Sequence, residues 1–137
     1  MFIHLKIQVI VLGLLLANDA SCGGIGTLEP GRWGGAGVQL LVLDNGVKAE
    51  FDCAFGVIDE PITVNSNGRF SQTGKYLREP GGPGQLGDKE PEGIPAVYSG
   101  EVFESQMTLL IELPGDGRFI GPFTLKLSHK AELEKCL

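Results

Sequence analysis

The chain has only two histidines and three cysteines, and none of them stand at a metal-ligand spacing. There is no C-x-x-C, no H-E-x-x-H and no alternating Asp loop closing on Glu, so no metal motif is expected, and no cofactor motif either. Positive charge is also scarce: 11 Lys and Arg stand against 17 Asp and Glu, a net charge of −6. Nucleic acids and anionic bilayers are bound through basic patches that displace counterions, so neither is an expected partner. Nowhere is the chain apolar for the roughly 20 residues a membrane-spanning helix needs, and no helical period persists after the first twenty-odd residues.

Those first residues read as an export signal. His4 and Lys6 precede an apolar run from Ile7 to Leu16, followed by the small, polar segment ANDAS and Cys22. Two fates of Cys22 stay open. ASC followed by GG resembles the box in which bacterial lipoproteins acylate the cysteine, although Asp19 stands where such boxes usually carry Leu. Cleavage after Cys22, with Ala20 and Cys22 as the small residues, gives a soluble secreted chain instead. Both place the protein outside the cytoplasm, in a bacterial periplasm or envelope or in the medium. The expected organisation is a signal over 1–22, a linker over 23–30 and one β domain over 31–137. Removing Lys6 and Asp19 with the signal leaves the net charge at −6, which for a small exported domain means chiefly solubility.

The stretch VKAEFDCAFG, 47–56, poses the question of what Cys53 does. Alternation puts Val47, Ala49, Phe51, Cys53 and Phe55 on one face, with Lys48, Glu50 and Asp52 on the other. A nucleophilic cysteine needs a cation or base to stabilise its thiolate, whereas apolar and carboxylate neighbours raise its pKa. A metal site lacks partners, since His129 in SHK is the one histidine past the signal and reads as a turn residue. With Cys22 acylated or removed, Cys53 and Cys136 are left to pair in an oxidising compartment. A bridge closing so long a loop contributes at most roughly 4 to 5 kcal/mol in the chain-entropy model.

The remaining sequence consists of short alternating runs between turn residues, an all-β grammar. Eight strands are expected. Trp33–Leu43 opens the set, DNG at 44–46 makes a hairpin turn, and 47–56, VIDEPITV and, after NSNG at 65–68, RFSQTGKYL follow. The segment 79–95 then interrupts with four prolines and five glycines, which suits neither helix nor strand. AVYSGEVFE, SQMTLLIEL, RFIGPFTLKL and AELEKCL complete the set. An antiparallel up-and-down meander closed into a barrel is the expected fold, with a two-sheet sandwich divided at 79–95 as the alternative. NGRF and DGRF recur after turns, as a shared hairpin geometry or a duplicated unit would both explain.

Catalytic groups are not apparent. No serine lies in a Gly-x-Ser-x-Gly elbow, Asp59 and Glu60 are adjacent on an expected strand and point to opposite faces, and GGPGQLG has no following helix or lysine to hold a phosphate. Binding is therefore the expected activity, of a small apolar molecule in the barrel mouth or of an envelope protein on the loops. Small residues at Gly74, Ala96 and Gly100 on expected inner faces suit either a cavity or room for large neighbours.

Gly31-Arg32-Trp33 resembles the Gly-x-Trp opening of the lipocalin and avidin superfamily, the calycins, whose barrels bind ligands in an open mouth. That resemblance implies a tryptophan at the barrel base with a basic side chain packed on it, here Lys130 or Lys135. Trp33 as a plain core residue explains the same motif. Over most of the chain, the ordered set WGG, EFDCAFGVIDEPI, GRF, YSG, MTL, IGPFTL and KC resembles a family of small exported bacterial proteins with no assigned activity. The resemblance implies export and paired cysteines at Cys53 and Cys136, and implies nothing about a reaction.

Overall fold

A computed structural model describes residues 26–79 and 93–136. The export signal, Cys22 and residues 80–92 of the 79–95 segment lie outside the described residues, while Ile94 and Pro95, expected to be neither helix nor strand, already begin a strand. Ten strands follow in order: β1 (Gly26–Thr27), β2 (Gly31–Gly35), β3 (Val38–Leu43), β4 (Gly46–Phe51), β5 (Ala54–Ile58), β6 (Thr63–Val64), β7 (Arg69–Arg78), β8 (Ile94–Phe103), β9 (Gln106–Leu113) and β10 (Arg118–Leu127). Eight of them close an antiparallel barrel in the order β10-β2-β3-β4-β5-β7-β8-β9, while β1 and β6 form a separate two-stranded sheet. The barrel has the up-and-down arrangement expected for a calycin-like fold.

The number of wall strands matches expectation, but their boundaries differ. The run Trp33–Leu43 breaks at Ala36-Gly37, where Gly37 has φ +77°, and yields both β2 and β3. VIDEPITV is not one strand: β5 ends at Ile58, and Thr63–Val64 leaves the wall to pair with β1. AELEKCL is not a wall strand either. After Leu127 the chain reverses at Ser128 and runs back outside β2 as a strap, with Glu132 bridging Ala36 in parallel. In the turn after β3, Leu43 pairs with Gly46, so the turn residues are Asp44 and Asn45 and the glycine already belongs to β4.

The turn between β4 and β5 corrects the reading of Cys53. Phe51 and Ala54 both face the core, at 4% and 2% exposure, and Asp52-Cys53 is a two-residue connection between them. Such a connection inverts the inward parity. Val47, Ala49 and Phe51 point inward on β4, but Ala54, Gly56 and Ile58 do so on β5, leaving Phe55 on the outer wall and Cys53 exposed in the turn.

Alternation decides the core elsewhere. Met107, Leu109, Ile111 and Leu113 on β9 are all fully buried, with Leu40, Tyr98 and Leu125 from other walls. Trp33 is 1% exposed, which makes it a core residue, and its indole Nε1 donates to the Glu29 carbonyl at 3.1 Å. Leu28 is buried too, and its amide donates to the Ile62 carbonyl, so residues 26–30 pack as part of the domain where a linker was expected. The two GRF motifs diverge: Phe70 is 5% exposed and faces inward, whereas Phe119 is 60% exposed and faces out. A shared positive-φ glycine before each, Gly68 and Gly117, accounts for the likeness.

The barrel thus has two distinct ends. The entry end carries β1, β6 and the turns β3–β4 and β8–β9. The strap end carries the turns β2–β3, β4–β5 and β9–β10 together with Cys53 and the strap.

Candidate functional site

The inner small residues settle the cavity question locally. Tyr98 is fully buried and donates its hydroxyl to the Lys75 carbonyl at 2.7 Å. A Cβ on Gly74 would come within 3.0 Å of the Tyr98 ring, and one on Gly56 would collide with the Tyr98 hydroxyl. A Cβ on Gly100 would strike the Thr108 carbonyl and come within 2.9 Å of the Phe70 Cζ. These glycines make room for the protein's own aromatic rings. Together with Trp33 and the β9 row, they fill the tube that a ligand would otherwise enter. Burial in this apolar tube pushes the Tyr98 pKa up strongly.

At the strap end a cluster of aromatic side chains leads from the core to the half-buried Phe123. The Phe51 ring packs on Tyr76 at 5.5 Å between centroids and on Phe123 at 5.7 Å, both tilted. Phe123 is half-buried and lines a depression with Ala36, Gly37, Asp52 and the strap residues Glu132 and Leu133. Two arginines flank the aromatic group. Arg78 follows Tyr76 by two residues and so shares its inward parity at the end of β7, while Arg118 at the start of β10 pairs across from the buried Leu113. Both fields reach the Tyr76 hydroxyl, where they oppose the upward pKa shift that burial causes. Arg118 also pairs with Asp116 at 3.1 Å, with both side chains half exposed.

The strap is tied to this end by chemistry of several kinds. Gly37 N donates to Glu132 O at 2.7 Å, Glu132 N to Gly35 O at 3.0 Å, and Glu134 N to the Asp52 carboxylate at 2.8 Å. Gly34 lacks the side chain that would strike the strap backbone at His129 to Ala131. Lys135 Nζ meets Glu50 at 2.6 Å and Glu79 at 3.3 Å and donates to the Phe51 carbonyl. The hydrogen bond that Lys135 donates to the Glu50 carboxylate is the main reason its pKa is raised. At the tip, Cys136 is joined to Cys53 in a disulfide with Cα atoms 5.2 Å apart.

Of the residues singled out from sequence, the structure joins Cys53 with Cys136 and buries Trp33 at the other end of the tube. Lys135 is engaged with Glu50 and Glu79, not with the indole, and Lys130 lies exposed on the strap. His129 is exposed on the strap as well, with Nδ1 3.5 Å from the Leu127 carbonyl. Asp59 and Glu60 belong to the irregular link after β5 rather than to a strand. Sequence reading missed the group formed by Phe51, Tyr76, Arg78, Arg118 and Phe123. The i, i+2 spacing of Tyr76 and Arg78 carried part of that signal, but placing Arg118 beside them needs the barrel to be closed.

Comparison with protein-family models, curated proteins and solved structures finds no match. The fold and the chemistry of its surfaces therefore carry the functional argument.

Proposed function

We propose that this protein is an exported, non-catalytic binding module that meets a protein partner through the surface at its strap end. The observation that carries this reading is the filled interior: Trp33, Tyr98, Leu40, Met107 and Leu125 occupy the tube at 1% exposure or less. Recognition then falls to the outer surface, and aromatic and arginine side chains are the types that dominate the energetics of protein interfaces. The strap end offers Arg78, Arg118 and the half-buried Phe123, with the exposed Phe119 next to Arg118 on β10, on a scaffold fixed by the disulfide.

A second reading, a small anionic molecule at the mouth, is favoured by the placement of Arg78 at the end of β7 and Arg118 at the start of β10, both at this end of the barrel. One experiment separates the two. A photo-crosslinking side chain is placed at Phe119 in the protein expressed in an exporting bacterial host, and the purified protein is weighed by native mass spectrometry. A discrete protein adduct lost in the Arg118→Ala variant, with an otherwise bare native mass, is expected. A stoichiometric small-molecule adduct without a protein crosslink overturns the proposal in favour of the second reading.

A further inference from the structure

The two ends of the barrel differ in their exposed apolar groups. At the entry end, Phe103 closes β8 at 75% exposure and Leu43 closes β3 at 39%. Their turns lie on opposite sides of the barrel, since two wall strands separate the β3–β4 hairpin from the β8–β9 hairpin in either direction along the wall order. The chain enters the described structure at this same end, because β1 pairs with β6 there. Cys22 precedes Gly26 by four residues, a reach of about 14 Å when fully extended, and the apolar run Ile7–Leu16 precedes Cys22.

We infer that the entry end is a lipid-facing surface: a bilayer to which the N-terminal side of the chain is anchored receives the apolar turns at Phe103 and Leu43. The inference rests on the anchored alternative for the N-terminal segment. An anchor at Cys22 confines the entry end to within a few nanometres of the lipid surface, where even a weak second contact is populated through its high effective concentration. An exposed aromatic ring gains from transfer to the headgroup region. Charge is not the attraction. Glu101, Glu104 and Gln106 surround Phe103, with Lys126 as the one cation in that depression. The contact is therefore apolar, insensitive to salt on zwitterionic lipid and weakened by anionic lipid. It also turns the strap end, with its arginines and aromatic rings, away from the bilayer.

The test uses the full chain expressed with its own N-terminal segment in an exporting bacterial host. Tryptophan is introduced singly as Phe103→Trp, Leu43→Trp and, at the opposite end, Phe119→Trp. Each protein is mixed with phosphatidylcholine vesicles, floated on a density gradient and compared with vesicles of brominated phosphatidylcholine, which quench indoles within the bilayer. The unsubstituted chain, whose Trp33 is 1% exposed, supplies the baseline. Co-flotation is expected, with loss of the added emission in the Phe103→Trp and Leu43→Trp proteins and retained emission in the Phe119→Trp protein, unchanged by high salt. Flotation with equal quenching at both ends, or with none at Phe103 and Leu43, overturns the orientation while leaving the anchor standing. Failure to float overturns the anchor and the lipid-facing surface together.

Discussion

At the level of single residues, the tube is closed by an agreement between Tyr98 and glycines on the strands around it. Sequence alternation already placed Gly74 and Tyr76 on the inner face, and it left open whether the small residues were vacant or occupied. Only the register decides: Gly56 pairs with Tyr76 and Gly74 with Ala96, which brings both glycines beside the Tyr98 ring. The pairing makes a specific double-mutant prediction. Gly56→Ala introduces a methyl group where the Tyr98 hydroxyl lies and should destabilise by about 1 to 3 kcal/mol, as overpacking does. Tyr98→Phe alone gives up the hydrogen bond to the Lys75 carbonyl, at about 1 kcal/mol. Combined, the two changes should cost less than their sum, because removing the hydroxyl frees the space the methyl needs. Urea denaturation of the four proteins measures the coupling, and strict additivity would refute the occupied-tube account.

The element most easily misread was the strap. AELEK alternates like a strand, and its residues do run beside the first wall strand, yet its backbone pairing is confined to the bridge at Ala36, and side-chain and disulfide contacts hold the rest. The same local ambiguity affected 47–56. Its alternation runs unbroken through Asp52-Cys53, and nothing in the period shows that the chain reverses there, since a two-residue turn exchanges the inward positions without disturbing the pattern of residue types. The pairing of Cys53 with Cys136 was nevertheless legible, because compartment and cysteine count suffice for it, whereas the exposure of Cys53 was not. With both cysteines exposed, the bridge is a constraint on the strap rather than a core contact. Replacing both by serine should lower stability by about 2 to 4 kcal/mol. The barrel itself should survive, because the β9 row and Trp33 do not touch the strap's tip. Amide hydrogen exchange is the discriminating measurement: faster exchange confined to residues 128–136 and the β4–β5 turn is expected, and uniform loss of protection across β9 would show that the bridge supports the whole fold.

At the scale of the whole molecule, the titrating groups with displaced pKa values among the described residues all point the same way. Burial raises Tyr98 and Tyr76 above their ordinary value of 10.0, and the hydrogen bond that Lys135 donates to Glu50 raises Lys135 above 10.5. A raised pKa means that the folded protein holds protons which the unfolded chain has released, so the slope of stability against pH is negative wherever the two states differ. The contribution is fully present below the unfolded values and is lost as pH climbs from about 10 through the raised folded values. Stability should therefore be flat near neutrality and fall steeply under alkaline conditions. Tyr98 should dominate, since its hydroxyl is enclosed by the tube, while Lys135 is exposed and its ion pairs are screened by water. Urea midpoints at pH 8, 9.5 and 11 should show a decline that Tyr98→Phe makes shallower and Lys135→Met alters only slightly. The reverse ranking would mean that the strap's ion pairs, and not the packed interior, hold the barrel together, and with it would go the argument that partners are met at the surface because the inside is full.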